Sequence, residues 1–170
     1  AIKLRTKMVE EGSIFYTTSD TETIVKLIAR SKRSKTVDRV IDALFQIQGG
    51  YALVVLTQNI LIGARDPFGI RPLVIGKLKR SYVLASETCA LDIIGAKYIR
   101  DVQNGEIVCI ENGKLQSIKP FPQKKIRPCV FEYIYFSRPD SILNDKTAYE
   151  YRKNLGVELA KEDSVDGDIV

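Results

Sequence analysis

The apolar positions change their period near residue 50. Before it they recur at helical spacing. Leu4 to Glu11 reads as a short helix stopped by Gly12. Ile14-Phe15-Tyr16-Thr17 is rich in β-formers and reads as a strand. Ser19 with Glu22 three residues on has the form of a capping box, and Ile24, Leu27 and Ile28 then share one helical face. Val37, Val40, Ile41, Leu44 and Ile47 repeat that spacing in a further helix, ended by Gly49-Gly50. Beyond it the pattern is extended. Tyr51 to Thr57 and Ile60 to Ala64 form a strand pair across Gln58-Asn59. Arg65 to Pro72 is a rigid turn with two prolines and Gly69. Leu73 to Leu78 pairs with Tyr82 to Ser86, and a short helix from Thr88 to Ile94 ends at Gly95. Strands follow at Tyr98–Val102, Ile107–Glu111 and Leu115–Lys119, the last two joined by Asn112-Gly113, a strong hairpin signal.

Pro120 to Pro128 holds three prolines and three basic residues and reads as a boundary. After it the alternating aromatics of Val130 to Phe136 suggest a strand, and Thr147 to Lys161 a helix with Ala148, Tyr151, Leu155 and Leu159 on an apolar face. Asp168-Ile169-Val170 reads as the start of a buried strand. Helices, hairpin-linked strands and another helix make an α+β pattern. Continuous apolar runs such as Tyr51 to Leu56 call for two stacked sheets with helices outside them.

Composition narrows the chemistry. The 170 residues carry a net charge of +5 with both signs interspersed, which fits a globular chain. The densest basic clusters, Lys32, Arg33, Lys35 and Lys124, Lys125, Arg127, have no interleaved aromatics, so base stacking has no support. Histidine is absent and the three cysteines, Cys89, Cys109 and Cys129, form no CxxC pair. This removes the common zinc spacings and every histidine-based triad. Sparse unpaired thiols point to a reducing compartment, read as the cytoplasm. No apolar run approaches the ~20 residues of a membrane span.

Five stretches together carry a likeness. They are Thr17-Thr18-Ser19-Asp20-Thr21-Glu22, Gly63 through Leu73 (with Arg65-Asp66-Pro67-Phe68-Gly69), Ala85-Ser86-Glu87-Thr88-Cys89-Ala90-Leu91-Asp92, Arg100-Asp101-Val102 with Gly105-Glu106, and Phe131-Glu132-Tyr133-Ile134-Tyr135-Phe136-Ser137-Arg138-Pro139-Asp140-Ser141. In order and spacing the chain resembles the amidophosphoribosyltransferase family over nearly its whole length. The first two stretches are shared with other glutamine amidotransferases of the N-terminal-nucleophile type; the last is more particular. The resemblance implies a four-layer αββα sandwich, incomplete at its N-terminus. Residues 1–126 would be the C-terminal part of the amidotransferase domain, and 127–170 a linker and the start of a phosphoribosyltransferase domain.

The resemblance also implies the chemistry: ammonia from glutamine displaces pyrophosphate from phosphoribosyl pyrophosphate, with Mg²⁺ assisting. In the family an N-terminal cysteine is the nucleophile and its own amine the base, with an Asn and a Gly forming the oxyanion hole. None of these is expected in this chain, since Ala1 has no thiol and the three cysteines have no free α-amine. By itself it is expected to have neither glutaminase nor transferase activity. Asp20 is the one substrate contact carried over, a carboxylate for the α-ammonium group of glutamine, expected to be buried in a pocket. Tyr133, Tyr135 and Arg138 are candidates for the ammonia path. Some family members hold an iron–sulfur cluster with one cysteine near this segment. That makes Cys129 a possible ligand, although an inert buried thiol is the preferred reading. Arg65, Asp66 and Arg71 could suggest an anion site, but ties within a proline turn are preferred, and Ser86-Glu87 is read as a helix start. Glutamine and phosphoribosyl pyrophosphate are the implied partners, with no nucleic acid or membrane, in a homo-oligomer. Two rivals stay open: an inactive sandwich used for binding or scaffolding, and a glutaminase domain serving another acceptor.

Overall fold

The computed structural model describes residues 2–163, so the expected strand at Asp168-Ile169-Val170 lies outside the described residues. The chain divides into two compact units between Gly49 and Gly50. The first holds three helices, α1 (Ile2–Glu10), α2 (Asp20–Arg30) and α3 (Thr36–Leu44). Met8, Leu27 and Ala43, one from each helix, form its core, with Leu4, Phe15, Ile28 and Ile47 around them. Gly12 ends α1 at φ +87, where a side chain would be strained. The expected strand at Ile14–Thr17 does not form. The amides of Tyr16 and Thr17 are instead taken by the carboxylate of Glu22, at 3.0 and 2.8 Å. A side chain here replaces the ladder partner a strand would need.

In the second unit seven strands make two antiparallel sheets. One has the order β1-β2-β6-β7, from β1 (Ala52–Leu56), β2 (Ile60–Arg65), β6 (Ile107–Glu111) and β7 (Lys114–Ile118). The other has the order β4-β3-β5, from β3 (Val74–Leu78), β4 (Ser81–Ala85) and β5 (Lys97–Asp101). The period-two alternation of β3 and β4 explains the layering. Ile75, Tyr82 and Leu84 face Val108, Ala52 and Leu115 of the four-stranded sheet, with Leu73 and Val102 completing that core. Val74, Val83 and Ala85 point the other way, onto Leu91 of α4 (Thr88–Ile93) and Ala96. Each fully buried aliphatic of this kind contributes about 1.5–3 kcal/mol. Gly63 on β2 sets the sheet spacing, because a Cβ there would stand 2.7 Å from Leu84. The expected Asn112-Gly113 hairpin is present, with positive φ of 50 and 72 at its two turn residues. The α+β class and the face-to-face sheets therefore stand as read.

Two expectations after residue 127 are corrected. Val130 to Phe136 is not a strand; Glu132–Phe136 winds as a π-helical turn, closed by Ser137 N donating to Glu132 O. The buried Glu132 explains it. Its carboxylate accepts from Ser137 Oγ at 3.0 Å and pairs with Arg71 at 3.0 Å, a grip on residue i+5 that an extended chain could not make. The short β8 (Ile142–Leu143) and β9 (Lys146–Thr147) then lead into α5 (Ala148–Glu162), which does start with a capping box, Thr147 with Glu150. The expected buried stripe of α5 is not there: Ala148 is buried, whereas Leu155 and Leu159 are exposed.

Candidate functional site

The start of α2 carries the one expected substrate contact. Ser19 occupies the N-cap, and its hydroxyl accepts from Thr21 N at 3.2 Å. The predicted reciprocal bond from Glu22 to Ser19 is absent. Glu22 reaches further back, to Tyr16 N, Thr17 N and the Thr17 hydroxyl at 2.7 Å, with Lys26 at 3.6 Å. The Tyr16 amide, then the Thr17 hydroxyl and amide, hold the Glu22 carboxyl down at about 2, against a smaller opposing effect of burial. This clasp ties residues 16 and 17 back to the first turn of the helix, which begins at Asp20. Asp20 itself is exposed, not buried as expected. It stands at the first position of an 11-residue helix.

The second unit contains a denser polar centre around the Arg65–Pro72 turn. Asp66 is wholly buried, and its carboxylate accepts three backbone amides: Tyr51 at 3.2 Å, Phe68 at 2.9 Å and Ile70 at 3.0 Å. Its own carbonyl accepts from Gly69 and Gly105. Arg65 donates to the carbonyls of Arg71 (2.9 Å), Val102 (2.8 Å) and Gly69 (3.3 Å). The preferred structural reading of Arg65 and Asp66 is therefore what the geometry gives: both charged groups are spent on the backbone of the turn and of its neighbours Tyr51 and Val102. Arg71 is directed elsewhere, to Glu132 and over the Phe136 ring at 4.7 Å.

Next to this turn lies a cavity of about 180 Å³, walled on one side by Arg65 and Asn104 and on the other by Cys129, Tyr133 and Asn144. Tyr133 donates no strand contact; its hydroxyl receives Asn144 Nδ2 at 2.6 Å and its ring meets Tyr151 edge-on at 4.8 Å. Burial is the main influence pushing the Tyr133 phenol up. Of the three candidates in this segment, the fold brings only Tyr133 to the cavity. Tyr135 is 77% exposed, and the Arg138 guanidinium is out in solvent against Asp140. Cys129 is half-buried rather than buried, and its amide donates to Ile70 O. Among the described residues there is no group of three or more His, Cys, Asp or Glu side chains placed to hold a metal, so Cys129 has no companion thiolates in them for an Fe–S cluster and no Mg²⁺ set is formed. Among the described residues no helix is long and apolar enough to cross a membrane.

Two residues matter more than their sequence suggested. Glu87 was read as starting α4 and does occupy its N-cap, but its side chain caps no backbone amide there and meets that helix only through Cys89 Sγ at 3.7 Å. Its Oε2 instead accepts from Arg138 N at 2.8 Å and Ser141 Oγ at 2.6 Å. Glu106 is 1% exposed and collects both Arg100 Nη atoms (2.8 and 2.7 Å), Gln103 N (2.6 Å) and Ser117 Oγ (2.6 Å). The Glu106–Arg100 pair could have been suspected from its six-residue spacing near a turn; partners more than fifty residues from Glu87 leave no local pattern.

Comparison with known proteins adds the family. Residues 1–92 match the glutamine amidotransferase domain family. The amidophosphoribosyltransferase of Rhizobium etli is 49% identical over 99% of the chain and 35% of its own length. The chloroplastic amidophosphoribosyltransferase of Vigna aconitifolia is 45% identical over 98% of the chain and 34% of its own length. The chain thus spans about a third of the curated relatives it matches. Among solved structures, the glutamine phosphoribosylpyrophosphate amidotransferase of B. subtilis, complexed with ADP and GMP, superposes with a TM-score of 0.94 at 41% identity, over 98% of this chain and 37% of that one. With more than half of its length matched by the family model and amidophosphoribosyltransferases matched along nearly all of it, the chain belongs to the glutamine amidotransferase domain family.

Proposed function

We propose that the protein carrying this chain takes ammonia from glutamine and passes it to phosphoribosyl pyrophosphate, the first step of purine biosynthesis. Glutamine and water give glutamate and ammonia. The ammonia nitrogen then bonds to C1 of the ribose as the C1–O bond to pyrophosphate breaks, leaving phosphoribosylamine and pyrophosphate. The observation that carries this reading is where the likeness continues. The amidotransferase family match ends at residue 92, but the likeness to the B. subtilis enzyme covers 98% of the chain. It therefore includes the Cys129–Ser141 segment, which favours a phosphoribosyl acceptor over the other acceptors that amidotransferase domains serve. The full-length protein, given glutamine, phosphoribosyl pyrophosphate and Mg²⁺, should release glutamate and pyrophosphate together. Glutamate without pyrophosphate would sink the acceptor assignment.

In this reading residues 127–170 lead into a phosphoribosyltransferase domain, Tyr133 stands beside the ammonia path, and Asp20 binds the α-ammonium group of glutamine. Three free thiols, Cys89, Cys109 and Cys129, support a reducing compartment, read as the cytoplasm. The assembly is taken to be a homo-oligomer. Asp20 is exposed in the chain as described, so its role does not draw on a pocket made by these residues. It draws on an exposed carboxylate at the first position of α2. A charged hydrogen bond of this type is worth about 1.5–3 kcal/mol, or roughly tenfold to a hundredfold in affinity. Asp20→Asn in the full-length protein should raise the KM for glutamine about tenfold or more and leave the rate with added ammonia within twofold. An unchanged KM removes Asp20 from the site.

A further inference from the structure

Residues 127–142 run along the second unit as a strap, fastened at three places. At its start, Arg127 N donates to Phe68 O at 2.8 Å and Cys129 N to Ile70 O at 3.0 Å, which ties it to the Asp66 turn. In the middle, Glu132 pairs with Arg71. At its end, Glu87 Oε2 accepts from Arg138 N and Ser141 Oγ, and the neighbouring Thr88 Oγ1 accepts from Ile142 N at 2.8 Å. These last contacts join positions 51 and 54 residues apart. The strap in turn aims α5. Ala148 N donates to Ser141 O and Tyr149 N to Pro139 O, both at 2.9 Å, while Arg152 donates to Tyr133 O (3.0 Å) and Ser137 O (2.7 Å).

Glu87 Oε2 holds much of the far end of this arrangement. It accepts from Arg138 N, Ser141 Oγ and, more weakly, Cys89 Sγ, and Ser141 beneath it is wholly buried, so its hydroxyl has no water to turn to. Without that oxygen the strap would still be fixed as far as Ser137 through Glu132, and at Ile142 by Thr88, but free to shift between Arg138 and Ser141. The strap forms one wall of the 180 Å³ cavity through Cys129, Tyr133, Ser141 and Ile142, so such a shift opens the cavity as well as loosening α5.

We infer that Glu87 is a positioning residue which, through Arg138 N and Ser141, holds the strap closed over the cavity and α5 in line, so that ammonia released in the amidotransferase domain reaches its acceptor instead of escaping to solvent. The inference rests on the amidotransferase reading and adds to it the residue that couples the two half-reactions. Glu87 touches no reacting atom. Its effect is on the yield of product per glutamine consumed, which a contribution to stability alone does not change.

The test uses the full-length protein with Glu87→Ala, Glu87→Gln and Ser141→Ala, and follows glutamate and pyrophosphate in the same reaction. Both strap donors and the weaker Cys89 thiol fall on one oxygen, so the amide oxygen of Gln can take its place as acceptor. Glu87→Gln should therefore keep pyrophosphate per glutamate within twofold of the parent. Glu87→Ala should lower that ratio at least fivefold, and Ser141→Ala, which removes one donor and no acceptor, two- to threefold. The idea is overturned if the ratio in Glu87→Ala equals that of the parent, or if glutamate and pyrophosphate fall in step. If Glu87→Ala does not fold, Ser141→Ala decides alone, and an unchanged ratio there overturns it. A parent protein that forms no pyrophosphate from glutamine defeats the proposed function itself, a result distinct from any of these.

Discussion

Asp66→Ala lowers the stability of the protein by about 3–5 kcal/mol, the cost of leaving three donors of a buried turn unmet. The carboxylate is wholly buried, and the amides of Tyr51, Phe68 and Ile70 all end on it. Each buried amide left without an acceptor costs about 1–3 kcal/mol, less where water can enter, as beside Phe68 and Ile70. For a chain of this size each kcal/mol moves Tm by about 2–4 °C, so a fall of roughly 6–20 °C is expected. Asp66→Asn separates the hydrogen bonds from mere packing. Tyr51 N and Ile70 N share Oδ2, and Phe68 N alone takes Oδ1. An Asn with its carbonyl oxygen at the Oδ2 position keeps two of the three bonds, and its loss should be about half that of Ala. Urea unfolding of the three proteins checks this. Equal midpoints for Ala and Asn would mean that the oxygens do not carry the turn. The consequence reaches beyond stability, since the same turn presents the Phe68 and Ile70 carbonyls on which the strap is laid.

Most of the second unit could be read from the chain because its information is local. Period-two apolar runs and two-residue turns place β1 to β7 within a residue or two, and positive φ at Asn112 and Gly113 is what Asn-Gly is selected for. Both failures turn on a carboxylate. At Ile14–Thr17 and at Val130–Phe136 the β-forming composition was real, but Glu22 takes the backbone amides a strand would have paired, and the buried Glu132 holds the Ser137 hydroxyl across a π-helical turn. Propensity measures what a backbone does without such a partner. The candidate site was legible to a smaller degree. The structural use of Arg65 and Asp66 followed from the proline turn they open. Asp20 was found through likeness, and its expected burial was not met. Glu87 does start α4 as read, but only coordinates show that its carboxylate also takes donors from the strap.

Glu106→Ala is expected to cost about 3–4 kcal/mol at neutral pH, in the range for breaking a buried pair whose cation keeps some contact with water. Arg100 sits on β5 of the three-stranded sheet, Ser117 on β7 of the four-stranded one, and Glu106 binds both, so it bolts one sheet to the other at their edge. Its pH dependence distinguishes this from loss of volume. Burial pushes the Glu106 carboxyl up, but the bonds from Arg100, Ser117 and Gln103 together outweigh it and hold the group below the usual carboxylate range. The folded pKa thus lies below that of the unfolded chain, about 4.3. The stabilisation is complete above that value and is lost as pH falls through the folded pKa, because the unfolded chain then binds the proton more readily. Glu106→Gln has no such proton to bind. The stability gap between the natural protein and Glu106→Gln should be constant from pH 7 to about 5 and shrink steadily below about pH 4. Urea titrations at pH 7, 5, 4 and 3 read this directly. A gap that stays the same at pH 3 as at pH 7 would mean the Glu106 side chain acts by its shape and not by its charge, and the bidentate Arg100 pair would then contribute nothing to joining the sheets.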